Sequence, residues 1–343
     1  MQNYDIKSIS KLDINYPDIY FTPEYGRLCE LSDKGKWNCV IDKKGELLIP
    51  FIEKKIKVGQ DNIKHLVSNY GYGGFYISSK YRIDYTKLEE IMQANNSVTH
   101  FIRFTPYFNN NTNGLLDFFN NSKITLKGLT YGINFNSSNY IDYLKNTRKN
   151  HRRSLKKYQD KCRFLLRDIS SNDILEHSNF RQIYRETMDR VGSSKYYYFS
   201  NEYFQEMFNL LKNNIFIAEI IFVDTDEVIS SAIIFKWKNE FLHYHLGGSK
   251  TDYLKYAPNN KLHDGIIKYG FNNNYKLYHL GGGVTRNDAL DKYKKSFANC
   301  EFEYYQGKII YNKEQFDYIS NEYESLNHKS NKDIFPCYIN TSL

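Results

Sequence analysis

One order of patterns occurs twice along the 343 residues, and it constrains the fold more than any other feature. Each half reads as short apolar runs broken by turn signals, then a glycine-rich stretch, an amphipathic helix and a strand. A chain of this length exceeds what one hydrophobic core ordinarily organises, so the doubled order predicts two units of similar build. In the first half, PDIYFTPEY and KWNCVIDKKGELLIPFIEKKI read as antiparallel sheet across residues 17–58, with Lys43-Lys44-Gly45 as a hairpin turn. Tyr70-Gly71-Tyr72-Gly73-Gly74 follows, then a helix near Asp84–Gln93 and a strand Val98–Phe104.

The second half is expected to place strands near Phe216–Phe222, Val228–Trp237 and Phe241–Leu246 before a glycine loop. Behind it come helix Lys261–Phe271, strand Lys276–Leu280, the Gly281-Gly282-Gly283 turn, a helix at about Asp288–Phe297, and strands at Glu301–Tyr305 and Lys308–Tyr311. Tyr140–Tyr158 is helical by composition, and residues 173–190 and 201–213 read as two more helices. The domain boundary is therefore expected near residue 140: a first domain 1–140, against which the tail 313–343 packs back, and a second domain 141–312 entered by a basic helix 140–158.

Composition excludes several classes. Hydrophobic residues make up 41% and charged residues 25%, enough to bury real cores and too apolar for disorder. The longest apolar stretch, Ile215–Val223, is interrupted by Glu219 and falls far short of the roughly 20 residues that span a bilayer. MQNYDIKSISKLD has neither an apolar core nor a small-residue cleavage site, so a cytoplasmic location is expected. Cys29, Cys39, Cys162, Cys300 and Cys337 lack metal-ligand spacing and read as packed thiols, and no metal site is expected.

Four features carry chemistry. Gly247-Gly248-Ser249 through Pro258-Asn259-Asn260 ends where a helix begins, a place where free amides and the helix dipole suit a phosphate, a carboxylate or a developing oxyanion; equally, these residues serve to turn the chain. Lys294, beside Tyr293 and Phe297, is either a charge held against a cleft or a solvated lysine favoured near a helix C-terminus. His243 and His245 alternate on a strand and share one face, where they read as hydrogen-bonded core histidines rather than metal ligands; His263 begins the helix beyond the loop, and neighbouring Asp264 is a candidate proton acceptor. Finally, Arg148, Arg152 and Lys156 form one i, i+4 row and Lys149, Arg153 and Lys157 another. The stretch Lys145–Lys157 holds seven basic residues and no acid, out of a net charge of +8. Like charges at that spacing destabilise a helix by a few tenths of a kcal/mol per pair. The rows are either a solvated face or a phosphate-binding one, with phosphate contact favoured over base reading and no DNA partner expected.

Several stretches, in the same order, resemble the Fem-type branch of the GNAT acyltransferase superfamily, which includes the aminoacyltransferases that build peptidoglycan cross-bridges. They are Asp18-Ile19-Tyr20-Phe21-Thr22-Pro23-Glu24-Tyr25, Ile49-Pro50-Phe51, Tyr70-Gly71-Tyr72-Gly73-Gly74, Ile102-Arg103-Phe104-Thr105-Pro106, and Arg148-Lys149-Asn150-His151-Arg152 with Lys156. Thr187-Met188-Asp189-Arg190, Leu246-Gly247-Gly248-Ser249, Pro258-Asn259-Asn260, Leu280-Gly281-Gly282 and Tyr293-Lys294 to Phe297 complete the set, over about residues 17–312. The resemblance implies an α+β fold of tandem GNAT-like domains, each a mixed, mostly antiparallel sheet flanked by helices. The family's Phe-Lys pair falls on Tyr293-Lys294, where tyrosine replaces phenylalanine. The chain departs from the pattern in lacking a long helical arm in its second domain. It also lacks the glutamine or arginine followed by a Gly-x-Gly or Gly-x-Ala loop that holds acyl-CoA.

The function expected from these readings is N-acyltransfer to an amino group of a cell-envelope precursor, either an amino sugar of a surface polysaccharide or a peptidoglycan stem peptide. Lys294 and Asp264 are the expected catalytic residues; Gly247, Gly248, Ser249, Asn260, Arg148, Arg152, Lys156 and Tyr293 are expected to hold donor or substrate. The co-substrate is acyl-CoA or aminoacyl-tRNA, with no permanently bound cofactor. Expected partners are a phosphorylated or lipid-linked precursor, tRNA as a further candidate, and a transient contact with the inner membrane face. The alternative is a catalytically idle GNAT-like module that binds anionic glycan precursors or RNA.

Overall fold

The computed structural model describes residues 4–7, 14–58, 60–78, 81–108, 123–137, 139–147, 149–158, 160–325 and 335–338. The chain forms two compact units, residues 1–127 with 303–343, and residues 128–302. The change of unit thus falls at residue 128, ahead of the expected boundary at 140, and the tail groups with the first unit. Both units are α+β, with mixed, mostly antiparallel sheets and flanking helices.

In the first unit, β1 (Tyr4–Lys7), α1 (Pro23–Asp33), β2 (Lys36–Asp42), β3 (Leu47–Val58), β4 (Asp61–Val67), β5 (Tyr76–Ile77), α2 (Tyr85–Ala94) and β6 (Ser97–Arg103) follow in order. The β2–β3 hairpin turns where expected, at Gly45 with its positive φ, and Asp42 fixes the turn by accepting from the amides of Lys44 and Leu47. Asp84 caps α2. Pro23–Asp33, read from sequence as part of a sheet, is instead a helix. Thr22 accepts from the Tyr25 amide at 3.2 Å and Pro23 takes the first helical position, where its missing N–H has no partner to lose. Strands β1 to β4 pair antiparallel, and β6 then lies parallel to β4.

The chain enters the second unit along β7 (Lys123–Asn134). The expected helix Tyr140–Tyr158 is two, α3 (Tyr140–Asn146) and α4 (Lys149–Lys157), because Thr147 is extended. Then come β8 (Cys162–Asp168), α5 (Asn179–Arg190), α6 (Asn201–Leu211), β9 (Ile215–Phe222), β10 (Glu227–Trp237), β11 (Phe241–Ser249), α7 (Pro258–Asn272), β12 (Leu277–Gly282) and α8 (Ala289–Lys295). β13 (Cys300–Ile310) is one strand where two were expected; it returns to the first unit, pairs antiparallel with β6, and leads to α9 (Lys313–Ser325). Helix α5 starts at residue 179, not 173, because Ser178 caps it and a 3-10 turn, Ser171–Ile174, precedes it. Among the described residues no helix is long and apolar enough to cross a membrane.

The sheet order in the second unit is β7-β12-β11-β10-β9-β8, antiparallel throughout except for β11 and β12. One face is covered by α7, whose Leu262, Ile266 and Ile267 pack with Ile220, Ala232, Ile234 and Tyr278. On the other face Gly248 lies so close to α5 that an added Cβ would sit 2.1 Å from Thr187 Oγ1.

Close helix-on-strand packing recurs in the first unit, where a Cβ on Gly26 would stand 2.3 Å from the buried Trp37 indole. Gly26→Ala is therefore expected to destabilise that unit by about 1–3 kcal/mol through overpacking, read as a lower urea midpoint by tryptophan fluorescence. An unchanged midpoint would mean that α1 can lift off β2 at no cost.

Candidate active site

The parallel pair β11 and β12 holds register over only three residues each, Phe241–His243 against Leu277–His279. Both strands carry an extra residue immediately afterwards. On β11, Leu246 pairs with Ile233 and Tyr244 with Ile234, leaving His245 over; on β12, His279 pairs with Gly132 and Gly281 with Tyr131, leaving Leu280 over. A bulge bends its strand, and one on each strand at the same level parts them into a wedge.

Gly247-Gly248-Ser249, expected as a loop, is the last stretch of β11 and lines this wedge. The Lys250 amide donates to Ile229 O at 2.9 Å, which fixes the alternation of the antiparallel ladder. Gly248 and Leu246 therefore turn their backbone groups to β10, while Gly247 and Ser249 turn theirs to the edge that β12 has left. Ser249 is already committed there: its amide donates to Thr187 Oγ1 at 3.1 Å and its carbonyl accepts from Arg190 at 2.9 Å. Glu186 accepts from the Thr251 amide at 2.6 Å, so one face of α5 clamps the strand end. Of the three expected amides, Gly247 is the one left facing the wedge. Its missing side chain makes room for the Tyr244 hydroxyl, 2.3 Å from where its Cβ would be.

The far wall is the end of β12 with α8. Lys294 is partly buried, and its ammonium donates to Gly282 O at 2.8 Å. Burial lowers its pKa from 10.5 to about 8, against the opposing pull of Asp288 and Asp291. Asp288 caps α8 and its carboxylate gathers the amides of Val284, Thr285 and Asp291; Asp291 accepts from Tyr131 and from the Asn287 amide. Tyr293, next to Lys294, is partly buried with a buried hydroxyl that has no hydrogen-bond partner among the described residues, and burial raises its pKa. Its ring packs against His263 and Phe297. His263 in turn pairs with the Tyr278 hydroxyl at 3.0 Å, whereas His245 stacks on Phe235.

Asp264 does not join this group. Its carboxylate accepts from the Tyr140 hydroxyl at 2.8 Å, tying α7 to α3. Burial raises its pKa, with Tyr140, Lys261 and Lys268 pulling the other way. Arg152 also has a structural partner, donating to the carbonyls of Leu144 and Lys145 at the end of α3. Arg148 lies outside the described residues. Lys156 is exposed and, among the described residues, has no acidic partner. Asn260 Nδ2 donates to Ser154 on α4 at 3.2 Å, and a shallow hollow at the start of α7 is lined by Ser154, Tyr158, Tyr256, Ala257, Asn260 and Lys261. The structure thus sets Gly247 at the end of β11, Lys294 at the end of β12 beside Tyr293, and Asn260 with α4 at the helix start. Sequence reasoning missed Tyr244 and Tyr140; the alternation of residues around Gly247 was the available signal for the first.

The chain matches a family model described as an acetyltransferase (GNAT) domain over residues 145–295. Among solved structures it is similar to FemX, at 12% identity and a TM-score of 0.63, covering 88% of this chain and 94% of that one. It is similar to L-PGS from Bacillus licheniformis at 12% identity and a TM-score of 0.57, covering 89% and 97%. A conserved protein of unknown function from Bacteroides thetaiotaomicron VPI-5482 gives 11% identity, a TM-score of 0.56, and coverage of 89% and 99%. At these identities the likeness shows the fold alone. A search of curated proteins finds no match.

Unfolding would return Lys294 to its ordinary range, so the fold bears the cost of a desolvated charge below pH 8, and that cost fades as pH rises from about 8 towards 10.5. An NMR titration of 13C-labelled lysine is expected to show Lys294 with a midpoint near 8, and a midpoint above 10 would contradict its desolvation.

Proposed function

We propose, from the GNAT-superfamily membership that these comparisons support, that the chain is an N-acyltransferase acting on an amino group of a cell-envelope precursor. We further propose that its units are tandem GNAT-like domains, since each contains a meander followed by one parallel strand pair. The carrying observation is the wedge, with the Gly247 amide on one wall and the Lys294 ammonium on the other.

The donor carbonyl enters the wedge, and the acceptor amine adds to its carbon through the nitrogen lone pair. The oxygen that gains the electron pair is stabilised by the Gly247 N–H, and Lys294 adds positive charge nearby. Collapse breaks the bond to the leaving sulfur of an acyl-CoA or the leaving oxygen of an aminoacyl-tRNA. The Tyr293 hydroxyl, without another partner among the described residues, supplies a hydrogen bond or a proton to that atom. The acceptor's proton passes to a substrate group or to water, because Asp264 is occupied with Tyr140. Lys156, the start of α7 and Asn260 favour the phosphates that either donor carries. The envelope assignment rests on the motif resemblance, and acceptors of that kind carry phosphates that suit the same cations.

The test is to incubate the purified protein with acyl-CoAs or aminoacyl-tRNA, together with amino-sugar nucleotides or lipid-linked precursors, and to look for added mass. Transfer is expected with one donor class, and none with any donor would overturn the proposal. Lys294→Met is expected to lower kcat about 10²–10³-fold with acceptor affinity kept. The wild-type rate should fall as pH rises through about 8, where Lys294 loses its proton.

A further inference from the structure

The segment between α5 and α6 carries four consecutive aromatic residues, Tyr196-Tyr197-Tyr198-Phe199, that the mechanism above does not use. They are held in place. The Tyr184 hydroxyl donates to Tyr197 O at 2.8 Å, and the Phe199 ring stacks on Tyr203 with centroids 4.2 Å apart. The Tyr198 hydroxyl donates to Asp189 Oδ1 at 2.8 Å. Tyr198 nevertheless stays 41% exposed, so a pinned aromatic ring is presented to solvent.

The charges beside it are uneven. Arg185 is matched by Glu176, and Arg190 is occupied by Ser249 O and Thr251. Asp189 has no cationic partner among the described residues, and its second oxygen accepts no hydrogen bond. An unpaired carboxylate beside an exposed aromatic face fits a ligand that is cationic and has C–H groups to lay on the ring.

Packed side chains join the patch to the end of β11. Arg190, next to Asp189, donates to Ser249 O at 2.9 Å, and Phe199, next to Tyr198, stacks on Tyr203. Tyr203 reaches His245, the bulge residue of β11, at 3.4 Å. We infer that Tyr198 and Asp189 form the acceptor subsite, seating a protonated amino sugar with its ring on Tyr198 and its ammonium toward Asp189, from which the ammonium gives a proton to water before the neutral amine adds to the donor carbonyl. This rests on the acyltransferase reading and selects a sugar rather than a peptide as the acceptor.

The test is binding, which needs no turnover. Saturation-transfer NMR and titration with glucosamine, glucose and ethanolamine separate ring from ammonium. Glucosamine is expected to bind more tightly than either of the others. Its affinity should fall about three- to fivefold in Tyr198→Ala and in Asp189→Asn, and stay within about twofold of wild type in Tyr198→Phe, which keeps the ring. Absence of glucosamine binding to the wild-type protein, equal affinity in Tyr198→Ala, or ethanolamine binding as tightly as glucosamine would each overturn the inference. Glucosamine bound as expected but never acylated would defeat the acyltransferase reading alone.

Discussion

Two β-bulges, one on each strand of a parallel pair, set what the rest of the second unit does. With His245 and Leu280 left over in their ladders, β11 and β12 stay together for three residues and then part. Regular pairing would have used the outward backbone groups of Gly247 in a ladder and brought Gly281 and Gly282 against β11. The bulges instead leave a half-buried strand edge with a polar group to offer, which a ligand or water can complete. Everything proposed about chemistry depends on that unfilled edge.

The neighbouring elements keep the wedge open and shaped. Helix α5 takes the Ser249 amide and carbonyl through Thr187 and Arg190, so the strand end cannot swing back towards β12. Opposite, Asp288 and Asp291 organise the turn into α8 with hydrogen bonds from four backbone amides and one from Tyr131. That holds Lys294 against Gly282 O, where desolvation works against its charge and the two carboxylates favour it. A lysine so placed contributes more electrostatically than one in water.

The alternation of apolar residues made most strands of both units legible, and amphipathicity placed α2 close to where it lies. Thr22-Pro23-Glu24 was an equally good helix start but was hidden by the apolar run around it. Lys294 stood out by its neighbours, and its partner Gly282 O did not, because a carbonyl at a strand end has no sequence signature. The glycines at 247 and 248 were noticed for the wrong reason. They suggested a loop, whereas each removes a Cβ from a crowded strand face, Gly248 for α5 and Gly247 for the Tyr244 hydroxyl. Asp264 was chosen for its carboxylate beside His263 and Arg152 for its i, i+4 row and the motif resemblance, and tertiary contacts with α3, which neither signal shows, engage both side chains. Bulges that depend on the register between distant strands cannot be read from either strand alone.

The central claim is that an acyl donor lies between β11 and β12. Hydrogen exchange of the backbone amides, followed with and without a saturating non-reactive donor analogue, tests it most directly. Slower exchange at Gly247, with Gly248 and Ser249 already protected in the free protein, is the predicted result. Donor binding that leaves Gly247 unchanged and protects amides elsewhere would contradict it.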